Sequence, residues 1–306
     1  MRGGFFLVDK KKGETSFDAV NRIRRDLRVL SDQSNEISLK GGDRKKLRVG
    51  HAGTLDPLAT GLLLIAAGEA VKLLEFFTGL DKEYEVKARF GFVSDTFDAE
   101  GKVVQIDSSE LKKFRELSED EKKRKMESTV KEEFSGKIKQ IPPKFSALKI
   151  GGKKAYELAR EGKEFEMKAR DAVVKDFEIV DFDWPVVSFR IFCGSGTYIR
   201  SLIHDLGQSL GTGAYVEELR RTKVGDYSVG ESGNEIIPIE EMIAGFEILE
   251  LSDEDFEGLK DGKILEGKKV PDNKPVMGLY RGEAVGVLEN FSGGIKFAKV
   301  LLYGNF

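Results

Sequence analysis

The chain has almost nothing with which to hold a metal or close a disulfide. Among its 306 residues there is one cysteine, Cys193, and there are two histidines, His51 and His204. A single thiol cannot form an internal disulfide, which suits a reducing cytosol, and so few nitrogen and sulfur ligands leave no basis for a zinc centre. Neither a G-x-x-x-x-G-K-[ST] loop nor a G-x-G-x-x-G turn is present, which argues against nucleotide and dinucleotide cofactors. No N-terminal signal pattern and no run of about 18 apolar residues occurs, so we expect a cytoplasmic protein without a membrane role. Net charge is scarce as well: 50 basic and 53 acidic side chains give −3, unlike a typical nucleic-acid binder.

What the chain does have is uneven distribution. Basic residues cluster at Lys10–Lys12, Arg22/Arg24/Arg25/Arg28, Arg44/Lys45/Lys46/Arg48, Lys149/Lys153/Lys154 and Arg220/Arg221/Lys223, while acid concentrates in Ser108–Glu133 and Ile236–Glu257. Each basic cluster reads either as a solvated face or as part of a polyanion grip. The length is enough for two domains, since single cores rarely grow much past about 250–300 residues.

The densest chemical signal is Gly50–Gly61, GHAGTLDPLATG. Asp56-Pro57 reads locally as a helix start, with the carboxylate capping free N–H groups and proline at the first helical position. The surrounding glycines allow unusual backbone angles and close approach of a ligand, so the same aspartate is also the first candidate for chemistry. Leu62–Ala67 reads as a buried strand and Glu69–Phe77 as an amphipathic helix.

Elsewhere Phe5–Asp9 and Lys82–Val93 read as strands, and Ser16–Leu30 as a helix capped by Ser16. Ser31–Lys46 lacks periodicity and is expected to be a loop. Ser108–Phe134 reads as a charged, solvated helical insertion, Val173–Phe192 as strands broken at Trp184–Pro185, and Thr197–Leu210 as a helix. Strands and helices alternating without strict βαβ spacing favour an α+β fold with a mixed sheet. After about Met242 the texture changes. Short alternating runs at Val276–Tyr280, Ala284–Leu288 and Ala298–Tyr303 point to a small separate β-barrel.

Six ordered blocks carry a family resemblance: VDKKKGETS (Val8–Ser16), GHAGTLDPLATG, DKEY (Asp81–Tyr84), QIPPKFSALKIGGKKAYELAREG (Gln140–Gly162), CGSGTYIRSLIHDLG (Cys193–Gly207) and LRRTKVGDY (Leu219–Tyr227). From about Phe5 to Tyr227 the chain resembles the TruB family of tRNA pseudouridine synthases, with Lys11 standing where that family usually has proline. The resemblance implies a pseudouridine synthase fold over residues 1–245, with an RNA-gripping insertion at about 136–165. Over residues 246–306 it implies either a PUA-like RNA-binding barrel or a stabilising cap. It further implies isomerisation of uridine 55 in the TΨC arm of tRNA, without metal or organic cofactor, by a monomer that needs no protein partner.

By the same resemblance Asp56 is the nucleophile, and Arg200 pairs with it through a two-pronged hydrogen bond. Tyr84 stacks on the uracil, and Tyr198 and Leu219 complete the walls. Lys72 is either a charge partner near the site or a helix-surface lysine. His51 either fills the space vacated by a flipped base or is a buried histidine satisfied by backbone. Lys10, Lys149, Lys153, Arg220 and Arg221 are the expected RNA contacts. Two alternatives stay open from sequence: an RNA-guided rRNA synthase subunit, and a non-catalytic tRNA chaperone.

Overall fold

The computed structural model describes residues 3–33, 47–233 and 235–301. The loop expected at Ser31–Lys46 falls from residue 34 onward outside them, as does the basic cluster Arg44/Lys45/Lys46.

Nine strands form the main sheet: β1 (Gly3–Lys10), β2 (Val49–His51), β3 (Thr60–Gly68), β4 (Lys82–Phe90), β5 (Gly136–Gln140), β6 (Arg170–Asp183), β7 (Val186–Cys193), β8 (Ala214–Val224) and β9 (Tyr227–Ser228). Their order is β1-β3-β8-β4-β7-β6-β5, with β2 added to β3 and β9 to β8. All pairings in it are antiparallel except a short parallel contact of β3 with β8, where Thr60 faces Arg220 and Gly61 faces Arg221. The sheet is therefore mixed, as the irregular spacing of elements implied.

Strand β3 explains its own sequence. TGLLLIAAG has no polar residue between its end positions because both of its faces are covered. Leu63, Ile65 and Ala67 enter one apolar core, and Leu62, Leu64 and Ala66 enter another. Strand β4 alternates instead: Lys82, Tyr84, Val86, Ala88 and Phe90 point inward, and the charged Glu85 and Lys87 point out. Helices Ser16–Gln33 and Ile199–Ser209 cover the first core through Val20, Ile23 and Leu27 and through Leu202, Ile203 and Leu206.

Two expectations change. The segment Ser108–Phe134 is two helices, Ser109–Glu116 and Glu119–Glu133, each started by a serine cap, Ser108 and Ser118. It is not merely solvated: Phe114 of the first helix, and Met126, Val130 and Phe134, spaced four residues apart along and just after the second, pack into the first core. The expected helix Glu69–Phe77 is split into a 3-10 turn, Glu69–Leu73, and a short helix, Leu74–Thr78. Glu69 in that turn is buried and paired with Arg48 and Lys72.

The tail forms a second, curled sheet of five strands ordered Glu247–Glu250, Val276–Tyr280, Glu283–Phe291, Gly294–Val300 and Leu265–Glu266. It is a half-barrel consistent with the PUA-like expectation, although the strand expected at Ala298–Tyr303 starts at Gly294, four residues earlier, and residues 302–303 of that run lie outside the described residues. Its two hairpins turn at Arg281-Gly282 and Ser292-Gly293, where both residues of each pair have φ between 46° and 83°. Such two-residue turns match the twist of the flanking strands. Phe256, from the helix Asp253–Lys260, stacks on Tyr280 at 4.0 Å between centroids within a wholly apolar core. Met277, Ala284, Val287 and Leu301 reach beyond the tail and share the second core with Phe5, Leu7, Leu62 and Leu64. No helix among the described residues is long and apolar enough to cross a membrane.

Candidate active site

The loop between β2 and β3 presents Asp56. Leu55, Leu58 and Ala59 anchor it in the first core, and the buried hydroxyl of Ser16 pins its middle by accepting from Leu55 N at 2.8 Å and donating to Leu55 O at 2.9 Å. Gly13 N donates to Pro57 O at 2.8 Å. Where the loop enters β3 only glycine fits: Gly61 has φ 99°, and a Cβ there would lie 2.2 Å from Arg221 O. Strand β3, just after the Asp56 loop, and strand β8 at Arg221 thus approach more closely than any side chain would allow.

Asp56 lines a cavity of about 270 Å³ together with Lys82, Tyr84, Tyr198, Arg200, Leu219 and Arg221. Five of the residues expected at the reacting centre, Asp56, Tyr84, Tyr198, Arg200 and Leu219, therefore meet in one place from four separate stretches of chain. Gln140, at the end of β5, fixes Tyr198 by accepting from its backbone N–H at 2.8 Å and donating to its carbonyl at 2.9 Å.

Arg200 differs from the expected two-pronged partner. Its Nε meets Asp56 Oδ2 at 2.9 Å, its Nη1 meets Asp98 Oδ2 at 3.2 Å and Thr96 O at 2.8 Å, and its Nη2 donates to Phe145 O at 2.9 Å. The fork is divided between two carboxylates and two carbonyls because the guanidinium is enclosed, with only 5% of its side chain exposed, and each donor finds an acceptor. Asp98 is equally enclosed, and its other oxygen accepts from Thr96 Oγ1 at 2.6 Å and Glu100 N at 3.0 Å. Asp56 keeps 35% of its side chain open to the cavity. Burial raises its affinity for a proton, Arg200 works against that, and Asp98 adds to it.

Asp98 and Lys82 are members of the site that sequence reasoning missed; Asp98 is the one that touches Arg200. Its local mark is the run Asp95–Gly101, DTFDAEG, dense in turn-forming residues. The turn is braced by Phe97, held at φ 64°, whose ring stacks on His204 at 3.8 Å. His204 lies one helical turn after Arg200, so the same helix supports both the guanidinium and the turn that supplies its second carboxylate.

The remaining expected residues fall elsewhere. Lys72 is not at the cavity: it pairs with Glu69 and donates to Val300 O at 2.6 Å, joining the main sheet to the tail. Lys10 is wholly buried, its ammonium donating to Glu14 O at 2.6 Å and to Lys11 O at 3.1 Å, so it braces the loop rather than reaching a phosphate. Arg221 is buried too, with Nε on Leu62 O at 2.8 Å and Nη2 on Gly53 O at 3.1 Å. It is a cavity residue and not a surface contact. The reason is strand alternation, which turns adjacent Arg220 to the opposite face. There Arg220 makes a two-pronged pair with Asp9 at 3.0 and 2.8 Å, beside a shallower depression of about 580 Å³. Lys149 and Lys153 are exposed on a short hairpin. His51 is half-buried on β2, its Nδ1 without a partner among the described residues, and burial followed by the charge of Arg221 lowers its proton affinity.

Comparison with known proteins agrees with this geometry. Residues 43–199 match the TruB family pseudouridylate synthase N-terminal domain, and residues 200–255 match the tRNA pseudouridylate synthase B C-terminal domain. The chain is 34% identical to tRNA pseudouridine synthase B of Clostridium tetani and 35% identical to that of Aquifex aeolicus, in each case over 98% of this chain and 99% of the relative. The tRNA pseudouridine synthase B of Parabacteroides distasonis is 40% identical over 74% of this chain and 88% of that protein. Among solved structures, an H/ACA RNP bound to a substrate RNA containing 2'-deoxyuridine matches with TM-score 0.66 at 21% identity, over 99% of this chain and 86% of that one. A Cbf5-Nop10-Gar1 complex matches with TM-score 0.66 at 23% identity, over 98% and 85%. These two likenesses establish the shared fold.

Proposed function

The chain belongs to the TruB family of pseudouridylate synthases, and on that premise we propose that it isomerises uridine 55 in the TΨC arm of tRNA, with Asp56 as nucleophile. Named relatives at 34–40% identity support pseudouridine synthesis on tRNA. The observation that carries the site assignment is the juxtaposition of a partly open, Arg200-held carboxylate with two tyrosines in a cavity sized for a nucleobase.

The reaction breaks the N1–C1′ bond, turns the uracil and joins C5 to the same C1′, with no net redox change or hydrolysis. Asp56 forms the transient covalent bond to the nucleotide; Arg200 keeps the carboxylate ionised and aimed, its own position fixed by Asp98. Tyr84 and Tyr198 hold the ring by its apolar faces. His51, kept neutral by its surroundings, takes the place of the flipped base and so offsets part of an unstacking cost of a few kcal/mol. The exposed Lys149 and Lys153 and the ion-paired Arg220 are the candidate phosphate contacts. The tail from about residue 246 is assigned as an RNA-binding unit, which places the domain division near residue 245.

The test uses the purified chain alone on an unmodified tRNA transcript, with the product mapped by mass. Pseudouridine at position 55 is expected from the wild type and none from Asp56→Asn, whose tRNA affinity stays within about tenfold, or ~1.4 kcal/mol. Turnover by a verified Asp56→Asn preparation would remove the nucleophile assignment. Product formation that requires added proteins and a guide RNA would move the chain to the RNA-guided class.

A further inference from the structure

Two cations lie in the cavity without a carboxylate to neutralise them. Arg221 is 1% exposed and donates to Leu62 O and Gly53 O; Lys82 is 5% exposed and donates to Thr78 O and Leu80 O. Among the described residues neither has a carboxylate within ion-pair distance. The two acids adjacent to Lys82 in sequence are engaged elsewhere, Asp81 with Lys175 and Glu83 with Lys223. The group opposite Lys82 on β7 is Cys193, whose thiol burial pushes up to about 11 and so keeps uncharged. Isolated buried cations are costly to maintain, and a protein that keeps two of them side by side at a cavity points to an anion that arrives from outside.

Their placement specifies which anion. Arg221 stands directly across from Tyr84 in the β8–β4 pairing, and Lys82 is two residues before Tyr84 on the same strand and the same inward face. The three form a floor beneath the ring that Tyr84 would contact. On the opposite wall Arg200 is already shared by Asp56 and Asp98, so that wall carries one surplus negative charge and can only repel a second anion. Taken together the five charged groups leave the cavity with one positive charge to spare, located on the floor. The positive field there is also felt by neighbours: Arg221 lowers the proton affinity of both Lys82 and His51, and burial with this repulsion brings Lys82 down to about 8.

Resting on the proposed uridine isomerisation, we propose that Arg221 and Lys82 are catalytic residues that receive the uracil as an anion when its glycosidic bond breaks. The electron pair of the N1–C1′ bond leaves with the base, whose charge spreads over N1 and its flanking carbonyl oxygens, while C1′ is taken up by the Asp56 carboxylate. After the ring turns, the pair is returned as C5 joins C1′ and the carboxylate departs. C5 gives its proton to a base and N1 takes one up, so composition and oxidation state are unchanged. The floor binds the base most strongly at its moment of greatest charge, which is the differential stabilisation that lowers a barrier.

The experiment measures single-turnover loss of the N-glycosidic bond on two T-arm stem-loops, one with uridine and one with the more acidic 5-fluorouridine at the target. Arg221→Met keeps length and removes charge. It is expected to slow the uridine substrate about a hundredfold and the 5-fluorouridine substrate about tenfold or less, because a better leaving anion needs the cation less. RNA affinity should stay within about threefold. Lys82→Met should act in the same sense at about a third of the logarithmic effect, and Arg221→Lys should restore part of the rate. Should Arg221→Met not fold, because its ties to Leu62 and Gly53 are lost, Lys82→Met and Arg221→Lys carry the comparison. Equal slowing on both bases, or a loss confined to RNA binding, overturns the assignment and leaves the isomerase reading intact. A wild type that makes no pseudouridine removes both.

Discussion

The two sheets of this molecule are built by different rules. Every buried charged or polar residue among the described residues, from Lys10 to Arg221, lies in the first 221 positions, while the second sheet and its helix enclose only apolar side chains. In the tail, charge is kept at the surface in pairs such as Lys268–Asp255 and Lys296–Glu289. Such pairs contribute at most about 1 kcal/mol each. Around the cavity the opposite holds: Arg200, Asp98, Arg221 and Lys82 are all enclosed, and each is held by main-chain groups. Enclosed charge destabilises a fold unless every donor and acceptor is matched. The first sheet thus trades stability for a prearranged field, and the second supplies packing.

The contrast is broken most directly at Arg200. Arg200→Met leaves two carboxylates facing each other without their cation, and product formation should fall at least a thousandfold, about 4 kcal/mol in the barrier. Losing that cation removes the influence that opposes burial, so the proton affinity of Asp56 rises further and the residual activity should move to higher pH. A single-turnover pH profile reads both effects. A variant with the wild-type rate and profile would put this buried pair on the same footing as the surface pairs of the tail.

Phe256→Ala sharpens the other side. The ring is fully enclosed and stacked on Tyr280, so its loss should cost about 3–5 kcal/mol in the denaturant stability of the tail. The single-turnover rate at saturating tRNA should change by less than about twofold, since no part of the cavity is touched. A large fall in that rate would show the tail to be more than a packing and binding unit.

The smallest expected effect lies at Asp205, on the helix that also carries Arg200. Burial pushes the Asp205 carboxyl up to about 6 from an ordinary 3.8. A raised value means that the folded state favours the protonated form; stability is fully present below about 4 and is lost as pH rises through about 6. Asp205→Asn should therefore add about 1 kcal/mol at pH 7, discounted for partial solvation, and nothing at pH 3.5. Urea midpoints at the two pH values decide it, and an equal gain at both would assign the effect to packing.

The sequence was most legible where chemistry is local. Gly50–Gly61 announced its loop, and the alternation of Lys82–Val93 announced the strand β4, which turns Tyr84 inward. The tail runs Val276–Tyr280 and Ala284–Leu288, read from short alternating runs, are strands, the second extending over Glu283–Phe291. What stayed hidden depends on partners distant in the chain. Asp98 reveals its use only once Arg200, about a hundred residues later, brings a guanidinium to it. Lys10 and Arg221 looked like surface cations because charge run and exposure usually go together; here interior carbonyls claim both, while Lys72 stays partly exposed, bound to Glu69 and Val300 O. For Arg220 and Arg221 the signal was available, since neighbours on a strand must face opposite ways.

Strand β3, enclosed on both faces, also bears on the order in which the molecule can be completed. One of its faces is closed in part by Leu73 and Phe77 nearby in the chain and in part by Met277, Ala284, Val287 and Leu301, residues more than two hundred positions downstream of Asp56. A chain emerging from the ribosome with only its first sheet made has Leu62, Leu64 and Ala66 incompletely covered on the strand from which the reacting loop hangs, because synthesis runs from the N-terminal side and domains assemble as they appear. The nascent protein therefore acquires its nucleophile early and the last of the packing behind it late.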